Sequence, residues 1–283
     1  MSLLAVRELT IAFPAAGGWR PEVRGVSLRV ERGEIFGLVG ESGSGKTLTA
    51  LAILGLLPAG ARVTAGRIEL DAPDFPDVPG GAVDLLTLGP RELRRVRGGR
   101  IGMVFQEPST AMNPAYTIGF QIAEAVRAHR PASRISRISR REARDEVFRL
   151  LDLVALPDAR RRLDDYPHQL SGGQRQRAMI AMALAGGPDL LLADEPTTAL
   201  DMTLQAQILE LLEGLRRDLG LSVLLITHDL GVVAETCDRV AVMRAGEIVE
   251  EAAAEALFRA PAHPYTRTLL AAVPRLGARA EAR

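Results

Sequence analysis

The chain has 283 residues, 47% of them hydrophobic, so it can bury a substantial core as one large domain or as a domain with a subdomain. Its 35 basic and 35 acidic side chains cancel, and the overall charge therefore favours neither nucleic acid nor an anionic membrane as a partner. No apolar run approaches the roughly 20 residues that cross a bilayer, and the first residues hold no apolar signal core, so we expect the chain to stay in the compartment that makes it. The single cysteine, Cys237, excludes an internal disulfide bond and a four-cysteine metal site.

Three apolar runs predict buried parallel strands, at residues 34–39, 190–193 and 222–227. Each run is followed by a helix-like segment, at residues 48–57, 202–215 and 230–234. This alternation predicts an α/β fold with a mainly parallel sheet. Because ligands of such sheets bind beyond the carboxyl ends of the strands, we expect the polar residues that follow the three runs to lie close together.

Between residues 108 and 168 the strand pattern disappears, and helical stretches replace it at residues 120–127 and 141–153. We interpret this part of the chain as an inserted helical subdomain. Residues 71–81 are rich in proline and aspartate, which predicts an exposed loop. From about residue 252 the alanine, arginine and proline content rises, and we expect a small appendage there.

The strongest motif is GESGSGKT at residues 40–47, which matches the phosphate-loop pattern G-x-x-x-x-G-K-[ST] between a predicted strand and a predicted helix. Its glycines permit backbone angles closed to other residues, so successive N–H groups can face phosphates at the positive end of the helix. We expect Lys46 to reach the β- and γ-phosphates of ATP and the Thr47 hydroxyl to bind Mg²⁺. A glycine-rich turn without a ligand is the alternative, and the flanking elements argue against it. The predicted nucleotide contacts are Gly40, Glu41, Ser42, Gly43, Ser44, Gly45, Lys46, Thr47 and Leu48.

Two carboxylates, Asp194 and Glu195, follow the second predicted strand. We predict that Asp194 binds the magnesium ion, directly or through water, and that Glu195 polarises the water that attacks the phosphate. A solvated strand end is the alternative, and the phosphate loop in the same chain weakens it.

A second glycine-rich segment, LSGGQ at residues 170–174, precedes a helical pattern at residues 175–185. Two glycines, a serine hydroxyl and a helix N-terminus form a second predicted anion site. Since one phosphate loop already binds the triphosphate, we expect this site to serve a nucleotide held by another subunit. A simple helix cap is the alternative for these five residues taken alone. The predicted contacts are Ser171, Gly172, Gly173 and Gln174.

Together these motifs resemble the ATP-binding cassette (ABC) family, and the resemblance covers residues 3–250 with the motifs in the family's order. It implies a P-loop NTPase (RecA-like) α/β core with a mainly parallel sheet, an antiparallel β part and an inserted α-helical subdomain. It divides the chain into two core parts, a helical subdomain that ends in the LSGGQ signature, and a C-terminal extension. These are residues 1–107 and 175–251 for the core, 108–174 for the subdomain and 252–283 for the extension.

The resemblance also implies roles for residues outside these motifs. Gln106 in VFQEP resembles the Q-loop glutamine, which senses the γ-phosphate and joins the predicted metal ligands; a buried, satisfied amide is the alternative. Asp201 resembles the D-loop aspartate, although a helix N-cap fits it equally well. His228 in LLITHD resembles the switch histidine that contacts the γ-phosphate, with a structural histidine as the alternative. For the aromatic ring that stacks on adenine we favour Phe13 over Trp19, which we expect in a glycine-flanked loop.

Longer strings resemble the ATPase subunits of oligopeptide and dipeptide importers. They include FQEPSTAMNPAYTIGFQIAEA, YPHQLSGGQRQR, DEPTTALDMTLQAQIL and HPYTRTLLAAVP. Peptide is therefore the expected cargo, and nickel, metal chelates, glutathione and oligosaccharides are the alternatives within the same branch. Many members carry a cysteine cluster after the His-Pro-Tyr segment, and this sequence has no cysteine there, so we expect no iron–sulfur cluster. Cys237 is better interpreted as a small buried apolar residue.

The resemblance implies an ATPase that lies peripherally on the cytoplasmic face of the inner membrane. Its expected partners are a second, related ATP-binding subunit or a copy of itself, two transmembrane permease subunits and, indirectly, an extracytoplasmic substrate-binding protein, with no nucleic acid. ATP on Lys46 and Thr47 would be sealed by the signature segment of the second subunit. Glu195 would then activate water while Lys46, Mg²⁺ and His228 stabilise charge on the phosphoryl group.

Two other functions remain open at this point. A soluble cassette for DNA repair or translation usually carries paired cassettes or a long coiled-coil insertion, and neither fits the 283 residues. A non-catalytic regulatory subunit would bind nucleotide without cleaving it. The presence of Glu195, His228 and LSGGQ argues against this second function.

Overall fold

The computed structural model describes residues 2–73, 75, 81–107, 111–129, 139–198 and 200–271. Within these ranges the chain forms two β-sheets and a set of helices. The strands are β1 Ser2–Ala15, β2 Gly18–Glu31, β3 Ile35–Val39, β4 Arg62–Asp71, β5 Ala82–Asp84, β6 Ile101–Val104, β7 Leu190–Asp194, β8 Ser222–Thr227, β9 Arg239–Arg244 and β10 Glu247–Ala253. The helices are α1 Lys46–Ile53, α2 Pro90–Val96, α3 Ile118–His129, α4 Arg140–Leu153, α5 Ala159–Arg162, α6 Gly172–Leu184, α7 Met202–Leu219, α8 Leu230–Thr236, α9 Ala254–Arg259 and α10 Pro264–Ala271, with a 3₁₀ turn at Pro167–Gln169.

The larger sheet has six strands in the order β10-β9-β3-β8-β7-β6. All neighbours pair in parallel except β10, which runs antiparallel to β9. Every residue of β3, β7 and β8 is buried, which explains why these strands are continuous apolar runs in the sequence. The three predicted strands are therefore neighbours, and the expectation that their carboxyl ends meet at one edge is confirmed.

The smaller sheet is antiparallel, with the order β2-β1-β4-β5. Strand β3 lies between two hydrophobic cores because its side chains alternate in direction. Phe36 and Leu38 pack into the core that includes residues of the antiparallel sheet, whereas Ile35 and Val39 pack into the core formed with the helices. This burial on both sides fixes the position of the loop that follows β3.

Helices α3, α4 and α6 pack on one another in the part of the chain between β6 and β7. Their shared core includes Ile122, Leu150 and Ile180. Helix α4 begins with a capping box, in which the Ser139 hydroxyl accepts from the Glu142 N–H and the Glu142 carboxylate accepts from the Ser139 N–H. The predicted helical stretches are confirmed here, while residues 108–110 and 130–138 of the predicted subdomain lie outside the described residues.

The prediction of an exposed loop at residues 71–81 is wrong for part of that segment. Asp71 still belongs to β4, and Ala72 and Phe75 are buried in the core with the antiparallel sheet. Proline and aspartate content predicts exposure only on average, and an aromatic ring within such a segment is buried where a core lies below it. Residues 74 and 76–80 lie outside the described residues, as do residues 272–283 of the predicted appendage.

The structure also shows where α7 ends and where Cys237 lies. Helix α7 extends four residues beyond its predicted end and stops at Gly220, whose φ of 67° ends the helix in the left-handed conformation. Cys237 is buried at the end of α8, as predicted, and burial raises the pKa of its thiol. Among the described helices, none combines the length and the apolar character needed to cross a membrane.

Candidate functional site

The phosphate loop connects the carboxyl end of β3 to α1. Gly40, Gly43 and Gly45 have φ angles of 155°, 79° and 105°, which confirms that these positions need glycine. A Cβ atom on Gly40 would also collide with the main-chain oxygen of Met243 in β9. The loop is therefore held by its own backbone conformation and by close packing against the neighbouring strand.

Lys46 is the first residue of α1, and its side chain is buried inside the loop. Its ammonium group donates to the carbonyl oxygens of Gly40 and Glu41, over 2.7 and 2.9 Å. Burial lowers the pKa of Lys46, and the charges of the carboxylates Glu195, Asp194 and Glu41 oppose that shift. The loop thus holds a positive charge at the N-terminal end of a helix, which is a favourable place for a phosphate.

The other predicted loop contacts differ in their exposure. Glu41 and Ser42 are exposed, and the main-chain oxygen of Ser44 accepts from the Gly246 N–H over 3.0 Å. The Leu48 side chain is partly buried against the hydrophobic core, so the polar groups that it offers a ligand are those of its main chain.

Thr47 and Asp194 lie next to each other, although 147 residues separate them in the sequence. The Thr47 hydroxyl donates to Oδ1 of Asp194 over 3.1 Å, and Asp194 is only 3% exposed. Burial raises the pKa of Asp194, while the hydrogen bond from Thr47 and the charge of Lys46 work against that shift. A hydroxyl and a carboxylate oxygen this close are ligands that Mg²⁺ accepts, so these residues fit a magnesium ion.

Glu195 is the centre of a polar cluster at the carboxyl ends of β7 and β8. Its Oε2 accepts from the Thr198 hydroxyl over 2.7 Å and from Nε2 of Gln106 over 3.2 Å, and its Oε1 lies 3.1 Å from Nδ1 of His228. The backbone of Glu195 has a φ of 47°, and its N–H donates to the Ile226 carbonyl oxygen over 2.8 Å. The structure thus brings together the side chains of Gln106, Glu195 and His228, which are far apart in the sequence.

The environment of Glu195 keeps its carboxyl group ionised. Burial raises its pKa, but the hydrogen bonds from Thr198 and His228, together with the nearby charge of Lys46, outweigh that effect, and the net result is a lowered pKa. An ionised carboxylate at this position can accept a proton from water. Sequence reasoning missed Thr198, although a threonine three residues after a carboxylate, in a turn, is a detectable signal for this contact.

The LSGGQ segment forms the N-terminus of α6. The Ser171 hydroxyl accepts from the Gln174 N–H, and the Gln174 side chain accepts from the Ser171 N–H, over 3.3 and 3.0 Å. Gly173 packs against the side chain of Leu204. In the described part of the chain, residues 171–174 make no hydrogen bond to the phosphate loop or to Glu195, so this helix end is separate from the cluster.

Asp201 is the N-cap of α7. Its carboxylate accepts from the main-chain N–H groups of Thr203 and Leu204, over 3.0 and 2.9 Å. The alternative interpretation of Asp201, as the N-cap of a helix, is therefore confirmed. Its carboxylate remains exposed and can also face a partner.

The two aromatic candidates lie on adjacent strands of the antiparallel sheet. Phe13 is on β1 opposite Arg20, and Trp19 is on β2, so the expectation of a loop around Trp19 is wrong. The guanidinium carbon of Arg62 lies 3.5 Å from the centre of the Trp19 ring and covers one face of it. Strand β2 approaches the phosphate loop at Val23, where a Cβ atom on Gly45 would lie 3.0 Å from the valine side chain.

The chain matches known protein families and solved structures. The family model described as "ABC transporter" matches residues 23–198, and the model described as "Oligopeptide/dipeptide transporter, C-terminal region" matches residues 249–283. A dimeric ATP-binding cassette, MJ0796, solved in a post-hydrolysis state bound to ADP and Pi, superimposes with a TM-score of 0.74 at 28% identity, over 89% of this chain and 98% of that one.

Two curated bacterial proteins are similar over nearly the whole chain. The dipeptide transport ATP-binding protein DppD of Bacillus subtilis is 50% identical over 97% of this chain and 77% of its own length. The glutathione import ATP-binding protein GsiA of Salmonella choleraesuis is 50% identical over 98% of this chain, which spans 43% of that relative's length. The chain has a P-loop NTPase fold and belongs to the ABC transporter family, with the C-terminal region of the oligopeptide/dipeptide transporters.

Proposed function

We propose that this chain is the ATP-hydrolysing subunit of an importer and that di- or oligopeptides are its cargo. The observation that carries the proposal is the position of the Glu195 carboxylate, held by Gln106, Thr198 and His228 at the sheet edge where Thr47 meets Asp194. This arrangement offers a base for water beside a phosphate loop, which is what hydrolysis of a nucleoside triphosphate requires.

Each residue of the cluster has a separate task in this mechanism. The loop N–H groups and Lys46 bind the β- and γ-phosphates of ATP. Glu195 accepts a proton from the attacking water at a carboxylate oxygen, and His228 holds that carboxylate through Oε1 and contacts the γ-phosphate. Gln106 donates to Glu195 and senses whether the γ-phosphate is present. Mg²⁺, bound by Thr47 and Asp194 with Gln106 nearby, would neutralise charge on the transferring phosphoryl group.

A second ATP-binding subunit completes the site in this proposal. Ser171, Gly172, Gly173 and Gln174 form a helix N-terminus that makes no hydrogen bond to the chain's own loop, so it is available to a nucleotide on another subunit. Exposed Asp201 would face the same partner. The dimeric state of the similar cassette supports this arrangement. The partner is a related subunit or a second copy of this chain.

The membrane partners would be two permease subunits, reached from the cytoplasmic face of the inner membrane, with a substrate-binding protein on the other side. An apolar groove beside Gln106 supports this part of the proposal. It is lined by Leu56, Phe105, Met112 and Met179, and the first two are unusually exposed for apolar side chains. A permease helix that docks there would lie next to the residue that senses the γ-phosphate.

For the adenine-stacking ring we retain Phe13. Along β2, Arg20 is three residues from Val23 and Trp19 is four, at roughly 3.3 Å per residue. Phe13, which pairs with Arg20, is therefore closer than Trp19 to the point where β2 meets the loop. Peptide is the favoured cargo because the C-terminal region and DppD are both named for peptide transport. Glutathione, nickel, metal chelates and oligosaccharides remain the alternatives.

Two substitutions test the hydrolytic part of the proposal. Glu195→Gln removes the base but keeps the shape of the side chain, so it should bind ATP and turn over at about a hundredth of the original rate or less. Lys46→Ala should lose ATP binding. Glu255→Gln changes an exposed carboxylate in α9, and it should leave both properties unchanged. Full activity in Glu195→Gln would remove Glu195 from this role.

The transport part needs a separate experiment. A tagged chain is recovered from detergent-solubilised native membranes, and the proteins retained with it are identified by mass spectrometry. Two multi-span proteins and a second cassette are the expected result. Recovery of soluble proteins or nucleic acid alone would contradict the importer and leave the ATPase standing.

A further inference from the structure

The C-terminal segment 261–271 contains two buried hydroxyl groups, those of Tyr265 and Thr266. Tyr265 is 8% exposed and Thr266 is fully buried, although both lie in a short helix near the end of the described chain. Glu250 in β10 anchors the start of this helix, because its carboxylate accepts from the N–H groups of Ala262 and His263 over 2.7 and 3.0 Å. The segment is thus attached to the nucleotide-binding core.

Tyr265 contacts the end of β9. The guanidinium carbon of Arg244 lies 4.6 Å from the centre of the Tyr265 ring, within the range of a cation–π interaction. Two residues later, the Gly246 N–H donates to the Ser44 carbonyl oxygen in the phosphate loop over 3.0 Å. The end of β9 therefore contacts the C-terminal segment, and the turn that follows it contacts the phosphate loop.

The Tyr265 hydroxyl is near enough to Glu41, the second residue of the loop motif, for that residue to affect its pKa. Burial raises the pKa of this hydroxyl, and the adjacent main-chain N–H and carboxylate of Glu41 act on it in opposite directions. Yet among the described residues the hydroxyl has no hydrogen-bond partner of normal geometry. A buried hydroxyl without a partner costs about 1–3 kcal/mol, so a state in which Tyr265 finds a partner is favoured.

We propose that Tyr265 is a positioning residue for the phosphate loop, and that its hydroxyl bonds to Glu41 when nucleotide is bound. The Tyr265 ring would then contact Arg244 while the Tyr265 hydroxyl bonds to Glu41, and the two contacts together would stabilise the position of the loop. Nucleotide affinity consequently depends on the C-terminal segment. This inference rests on the proposed ATPase function, because it needs ATP as the ligand of the loop.

The variants Tyr265→Phe and Tyr265→Ala test this role in the full chain. Tyr265→Phe keeps the ring on Arg244 and removes the hydroxyl, so the KM for ATP should rise about 3- to 10-fold, as for the loss of one hydrogen bond, while kcat changes little. Tyr265→Ala also removes the ring and should raise KM further. The control is Tyr116→Phe, since Tyr116 is 48% exposed and stacks on Phe120 in the helical subdomain.

A purely structural tyrosine gives a different result. Removing an unpartnered buried hydroxyl would then leave the KM for ATP unchanged, with an unchanged or raised thermal midpoint, and that outcome overturns the proposal. Glu41→Ala separates the two partner groups on Glu41. If the Glu41 carboxylate is the partner, the double variant with Tyr265→Phe raises KM no more than either single change; if the main-chain N–H is the partner, the two effects multiply.

A binding measurement distinguishes an error about Tyr265 from an error about nucleotide binding by the loop. ADP titration by calorimetry on the wild-type chain and on Lys46→Ala establishes whether the loop binds nucleotide. If the wild type binds and Lys46→Ala does not, equal affinities of Tyr265→Phe and the wild type refute the role of Tyr265 alone. If the wild type does not bind, both proposals are wrong.

Discussion

Replacing Gly40 with alanine should damage the phosphate loop more than the same change at Gly43. Both residues have positive φ angles. Only at Gly40, however, would a Cβ atom collide with another part of the main chain, the carbonyl oxygen of Met243. That oxygen cannot move away, because β9 is paired with β3 on one side and with β10 on the other. A Cβ atom on Gly43 would meet nothing within 4 Å.

The free-energy cost of alanine has two parts, the unfavourable backbone conformation and the collision of its Cβ atom, and each can be estimated separately. Alanine in the left-handed conformation at Gly43 costs about 1–2 kcal/mol. At Gly40 the conformation costs about 1–3 kcal/mol. Relief of the collision with Met243 adds about 1–3 kcal/mol there. The loop must move to relieve it, so a large part of this free energy should appear as weaker nucleotide binding.

Urea unfolding and ADP titration calorimetry measure the two effects. Gly187→Ala is the matched control, since Gly187 has a φ of 67° and open space around it, in the turn after α6. It should lower the free energy of unfolding by about 1–2 kcal/mol, as at Gly43, without changing ADP affinity. Gly40→Ala should lose clearly more ADP affinity than Gly43→Ala. Equal losses in these two variants would refute the argument that contact with Met243 holds the loop.

Two further predictions concern the core. Because burial raises the pKa of Cys237, iodoacetamide at about pH 8 should modify the native chain far more slowly than the urea-unfolded chain, and equal rates would contradict the buried position. Buried Glu34 accepts from Arg239 over 3.0 Å, so Glu34→Ala should lower the free energy of unfolding by about 1.5–3 kcal/mol, the worth of a charged hydrogen bond. Glu255→Ala breaks the exposed pair with Arg259 and should cost about 0–1 kcal/mol in the same urea titration; a loss as large as that of Glu34→Ala would contradict the role of burial.

Local sequence was sufficient for the phosphate loop and for the three strands around it. The loop conformation depends on glycines within eight consecutive residues, and the strands are apolar runs because they are buried on both faces. The cap at Ser171 and the cap at Asp201 are local for the same reason, since each closes within three residues. Such features are legible in a sequence because their partners are neighbours in the chain.

Tertiary structure alone decided which of these features meet. The order β3-β8-β7 places Thr47 against Asp194, although nothing within either motif specifies that order. The burial of Phe75 was missed because it depends on the core with the antiparallel sheet, where β1 pairs with the distant strand β4. The strand position of Trp19 is a local feature, since Trp19 pairs with Pro14 across the short turn between β1 and β2; its neighbouring glycines predicted a longer loop than the one that forms.

The same limit applies to the C-terminal segment. Composition predicts a small appendage after residue 252, whereas Tyr265 lies against Arg244 and beside Glu41 of the phosphate loop. The contact joins residues 224 positions apart, and its geometry depends on the turn between β9 and β10. The sequence by itself determined the chemistry of this protein's loops, and only the fold decided which distant side chains act on them, because contacts between distant segments form only when the sheets and helices pack.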